Sequence, residues 1–206
     1  MDINLNFINN TNDANNSQIV IFQKNVAPTF GELHVAWKVI QRCGQGDNHP
    51  FTFPMEMQVG SSDAWGNFTP RFDAENGQRW AMTQTASGDV LGLDSDPSSD
   101  VTEVQLVNKL PVGAVAANIY KGGKLLATKT NVAPKQMAVF QFKPTIWIGV
   151  ASQVVEGQVM NSAIISEVNT ELSLLGIARA DIVLTGGGPG QTSKPFQFSM
   201  QNVVMA

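Results

Sequence analysis

Leu33-His34-Val35-Ala36-Trp37-Lys38-Val39-Ile40-Gln41 repeats with a period of two. Leu33, Val35, Trp37 and Val39 fall on one side of an extended chain, and His34, Ala36, Lys38 and Ile40 on the other. A helix would scatter the first set around its axis, whereas a strand collects it on one face. The run therefore reads as a β-strand that buries Trp37.

The same period extends through the chain. INLNFI (Ile3 to Ile8) alternates, SQIVIFQK (Ser17 to Lys24) is a β-branched and aromatic run, and FTFPMEMQV sets Phe51, Phe53, Met55, Met57 and Val59 together. RWAMTQTA, VTEVQLVN, AVAANIYK, KLLATKT, QMAVFQF, TIWIGVASQ, DIVLT and PFQFSMQNVV continue it. About twelve or more short strands separated by Gly, Pro, Asn and Asp predict an all-β antiparallel sandwich. No long helical pattern separates the strands, which argues against a βαβ architecture. The Gly122-Gly123 pair between apolar runs predicts a two-residue hairpin. SAIISEVNTELSLLGIARAD is ambiguous. Ile164, Val168, Leu172 and Leu175 have helical spacing, while Val168, Thr170, Leu172 and Leu174 alternate. At most one short helix, near 164–176, is expected.

Asn25-Val26-Ala27-Pro28 and Asn131-Val132-Ala133-Pro134 spell the same tetrapeptide. Pro ends strand pairing, and Asn caps a turn through its side-chain oxygen. The chain is expected to form a single β domain over 1–206. Pseudo-repeat halves 1–93 and 101–206, joined by the Asp/Ser/Gly/Pro-rich segment 87–100, are one account of the doubled motif.

Charged residues make up 15% of the 206, well below the usual quarter. Such a surface is polar but weakly charged, and it offers little to keep copies of the chain apart. A homo-oligomer is expected. The net charge of −4, with 13 Lys and Arg and no basic run, argues against nucleic acid as a partner. A single cysteine excludes an intrachain disulfide. The opening MDINLNFINNTND has no apolar signal region. The chain is thus expected to be cytoplasmic when synthesised, or released without a classical signal peptide.

No catalytic pattern emerges. Cys43 lies near Asp47 and His49 in a glycine-rich turn and reads as a structural thiol. Gly186 to Lys194 lacks the order of a phosphate-binding loop. The carboxylates are dispersed. No enzyme activity and no cofactor are expected. Asp94, Asp96 and Asp100 form the best oxygen cluster for Ca²⁺, although the order differs from an EF-hand. Trp80 with Arg71 and Arg79 forms a candidate cation–π set.

Trp65 stands apart from the other tryptophans. Within VGSSDAWGNFTPRF it lies among turn-forming residues rather than in an apolar run. Asp63, Trp65, Asn67 and Phe68 are therefore the candidate contact residues. The functional expectation is a non-enzymatic recognition or self-assembly protein acting through surface loops and strand edges. The alternative is a soluble membrane-binding or pore-forming protein, or a lectin-like glycan binder.

Overall fold

The computed structural model describes residues 2–13, 17–27 and 32–206. The chain is all-β. It opens with β1 (Ile3–Asn9), β2 (Gln18–Phe22), β3 (Glu32–His34), β4 (Lys38–Ile40) and β5 (Asn48–Phe53). There follow β6 (Met57–Ser62), β7 (Phe72–Ala74), β8 (Arg79–Thr85), β9 (Gly88–Leu93) and β10 (Val104–Asn108). Next come β11 (Val115–Lys121), β12 (Lys124–Val132), β13 (Met137–Phe140) and β14 (Thr145–Ala151). After helix α1 (Ser162–Glu167) the chain continues with β15 (Thr170–Ser173), β16 (Ile177–Gly187) and β17 (Lys194–Met205).

Two compact units divide these strands, and their segments interleave along the chain. One unit takes 1–23, 36–55 and 144–206, and the other 24–35 and 56–143. The segment 87–100 lies wholly inside the second unit. It is also not a continuous loop: Val90, Leu91 and their neighbours form β9, which pairs antiparallel with β8.

The first unit has two four-stranded sheets, ordered β17-β16-β1-β5 and β15-β14-β2-β4. Ile3, Leu5 and Phe7 of β1 are buried, as are Ala180, Ile182 and Leu184 of β16. β2 does not alternate, and Ile19 to Phe22 are all buried. Its second face is covered by its own cluster, in which Val20 and Phe22 meet Ala151, Val154, Met160 and Val168, with Ile164 and Ile165 of α1 against them. A strand covered on both faces loses the polar half of its pattern. α1 approaches so closely that a Cβ on Gly149 would run into the backbone of Val168 and Glu167, so β14 carries glycine there.

The ambiguous segment is helix first and strand afterwards. Asn161 caps α1 by accepting from the Ile164 N–H at 2.9 Å. The alternating reading holds beyond it: Val168, Leu172 and Leu174 are buried while Asn169, Glu171, Ser173 and Leu175 are exposed.

The second unit has a five-stranded sheet, β3-β12-β11-β6-β7, and a four-stranded sheet, β13-β10-β8-β9. The Gly122-Gly123 hairpin joins β11 to β12 with both glycines at positive φ, 55° and 74°, as a type I′ turn requires.

Three expectations need correction. The Leu33–Gln41 run is not one strand. β3 pairs with β12 in the second unit, and β4 pairs with β2 in the first. Between them Val35, Ala36 and Trp37 are buried in succession, where the chain passes from one unit to the other. Trp37 is in the core as expected, edge-on to Phe53 at 5.1 Å. Pairing is also not purely antiparallel, because β1 runs parallel to β16 and β8 parallel to β10. Finally, the doubled tetrapeptide serves two different connections. Asn25 bridges Phe142, and its side chain accepts from the Gln141 and Ala27 amides. Asn131 lies in β12 at φ 58°. Both lie in the second unit, and Pro28 is outside the described residues.

Lys121, at the end of β11, is buried, and burial lowers its pKa from 10.5 to about 8. Below pH 8 both folded and unfolded chains hold the proton, and the buried charge carries its full cost. Between 8 and 10.5 only the unfolded chain holds it, so folding is progressively favoured as pH rises. Urea unfolding should show Lys121→Met removing a stability rise on the order of 3 kcal/mol across that window. Identical pH profiles for the variant and the parent chain would contradict this.

Candidate functional site

Asp63 follows β6 and organises the loop after it. Its carboxylate accepts from the Trp65 and Asn67 backbone N–H groups, both at 2.9 Å, and from Asn67 Nδ2 at 2.8 Å. Its own N–H donates to the Asn67 carbonyl at 3.1 Å. The bond from the Asn67 side chain, with those from the loop amides, holds the carboxyl below the usual aspartate range. Asp63 is therefore a structural anchor of the loop. Its role explains the spacing of the candidate set: an Asx-type side chain bonds amides a few residues ahead of it.

What the loop presents is aromatic. Trp65 is 90% exposed and Phe68 is 71% exposed. A bridge between Ser62 and Phe68 closes the loop's base, and Thr69 Oγ1 accepts from the Ser61 N–H at 2.9 Å. The anchored loop thus holds two large apolar side chains in solvent.

Beside the loop lies a groove of about 330 Å³. Phe72, Met82, Val90, Leu91 and Val115 supply its apolar lining, while Ser62, Asp63, Asn67, Thr69 and Asp89 bring polar groups to it. Phe68 and Pro70 contribute from the loop. The groove is lined by Phe72 of β7 and by Asp89 to Leu91 of β9, the last strands of their respective sheets. Three of the four sequence candidates, Asp63, Asn67 and Phe68, line it. Trp65 projects from the same loop. The far wall, Asp89 to Leu91, belongs to β9, and its apolar run was the available signal.

The acidic candidates do not converge. Asp94 is ion-paired with Lys109 at 2.7 Å. Asp100 accepts from the Thr102 hydroxyl at 2.7 Å and the Thr102 N–H at 2.8 Å, which lowers its pKa. Asp96 is exposed. Among the described residues no three His, Cys, Asp or Glu side chains gather as a metal would need. Cys43 is half-buried, and burial followed by the nearby Asp47 charge raises its pKa, the opposite of an activated thiolate.

The cation–π set is arranged differently from the expectation. Arg71 lies over Tyr120, 3.9 Å from the ring centroid, and donates to the Gly123 carbonyl. Trp80 stacks on Phe72 at 5.4 Å. Arg79 donates to the Gln105 side chain at 3.1 Å.

The second notable surface is β17. It is twelve residues long and lies at the end of its sheet, paired on one side with β16. Phe196, Val203, Val204 and Met205 are exposed, and Phe198 and Met200 are only half-buried. The other strands at sheet ends run three to six residues. In β17 Lys194 is the only charged residue.

Comparison with family models, with curated proteins and with solved structures finds no match.

Proposed function

We propose that this protein is a non-enzymatic recognition and self-assembly module that pairs with other copies of itself through β17. The carrying observation is that, among the described residues, no strand pairs with the outer edge of β17. An edge strand presents a row of unpaired N–H and C=O groups, and proteins that stay apart guard such edges with charge, Pro, bulges or short length. β5, at the opposite end of the same sheet, has Pro50 and is six residues long.

β17 is guarded only at its ends. Pro195 stands near its start, and register shifts occur near Asn202, which has φ 49°. Between them the ladder with β16 is regular from Gln197 to Gln201, and Phe196 to Gln201 contains no charge. Two such segments laid antiparallel about a two-fold axis meet without like-charge conflict. Each backbone hydrogen bond contributes about 0.5–1.5 kcal/mol net, against an association cost of about 4–15 kcal/mol. Edge pairing alone is weak on this scale. Covering Phe196, Phe198 and Met200 adds to it, and association is expected to depend on concentration.

A second reading, attachment to a glycan or lipid surface, rests on the exposed Trp65 and Phe68. An aromatic ring held in solvent can stack on a sugar or enter a headgroup layer.

Two measurements separate these readings. Light scattering behind size-exclusion chromatography should show mass rising with concentration for the parent chain. A Ser199→Lys/Gln201→Lys variant should remain monomeric with an unchanged melting temperature; a parent chain that is monomeric at every concentration contradicts the first reading. For the second, a glycan array and neutral and anionic vesicles should retain the parent chain and lose Trp65→Ala at least tenfold. No retention on either surface contradicts it.

A further inference from the structure

We propose that the groove of the second unit binds a small organic cation: an ammonium carried on an aromatic or short alkyl body. This site is independent of self-association through β17.

Its size sets the first limit. A dry apolar cavity of about 150 Å³ accepts a benzene-sized molecule, and ligand clefts begin at about 300 Å³. At about 330 Å³ the groove has room for one ring with a short tether. Met82, Leu91 and Val115 form an already buried apolar floor, so a ligand gains by placing its hydrocarbon part there.

Charge sets the second limit. The ionisable side chains lining the groove are Asp63 and Asp89, and no Lys or Arg is among the lining residues. Arg71, next to the lining residues Pro70 and Phe72 in sequence, is occupied by Tyr120 and the Gly123 carbonyl. Asp63 is held ionised by its hydrogen bonds. Asp89 is exposed, and its carboxylate has no hydrogen bond or ion pair among the described residues. Both carboxylates therefore face an incoming ligand with negative charge, and Asp89 is available to receive a donor. Phe68 at the rim adds an aromatic face, to which an ammonium is drawn. An anion in the same groove would meet two carboxylates and no counter-charge.

The test titrates the full chain, labelled with ¹⁵N, with three probes of matched body: 2-phenylethylammonium, 2-phenylethanol and 3-phenylpropanoate. Amide shifts should map to Phe68, Met82 and Asp89 to Leu91. The amine should bind about two- to fivefold tighter than the alcohol, the range of an exposed ion pair, and the acid weakest. Asp89→Asn should equalise amine and alcohol while leaving alcohol binding intact. The proposal is overturned if no probe shifts the groove amides at millimolar concentration, if the acid binds as well as the amine, or if Asp89→Asn leaves the amine preference unchanged.

Discussion

β16 is the strand on which the first unit depends, and it has only two edges to give. One pairs parallel with β1, from Asn4 opposite Arg179 to Asn9 opposite Leu184. The other pairs antiparallel with β17. Those ladders bury the inward side of β16, where Ala180, Ile182 and Leu184 enter the core. They also pass the unspent backbone pairing outward to β17, beyond which no further strand pairs among the described residues. The buried core of the unit and its open edge are thus consequences of one arrangement of hydrogen bonds.

Low charge makes that edge consequential. A chain with many surface Lys and Glu would place some along a twelve-residue edge. This one places Asn, Gln, Ser and apolar residues there. The same scarcity gives the second unit its groove: with no cation among the lining residues, the negative charge of Asp63 and Asp89 is not offset locally. Composition does not choose a ligand or a partner, but it determines what each surface can reject.

Much of the architecture was legible in the period-two pattern, because a strand with one covered face must alternate. β1 follows the rule residue by residue, and so does Val168 to Leu174. The pattern failed where more than one layer covers the chain. β2 is buried on both faces, and Val35 to Trp37 are buried in succession as the chain crosses between units, so alternation there no longer marks a continuous strand. Parallel pairing of β1 with β16 left no local signal, since it joins segments about 175 positions apart through backbone groups that every residue carries. The grouping of Asp63, Trp65, Asn67 and Phe68 in one loop was visible because turn chemistry is local. The opposite wall from Asp89 to Leu91 was not, because only the pairing of β9 with β8 brings it there. The carboxylates of the 94–100 segment carried the composition of a cation loop, but Lys109 and Thr102 occupy Asp94 and Asp100.

The central claim, that β17 offers its free edge to a second copy, is tested most directly by residue-resolved amide hydrogen exchange in β17 at two protein concentrations. In dilute protein, alternate amides between Phe196 and Gln201 should exchange rapidly, because every second N–H points away from β16. At high concentration those same amides should become protected while the rest of the sheet is unchanged. If their exchange is the same at both concentrations, β17 does not pair with another copy and the account fails.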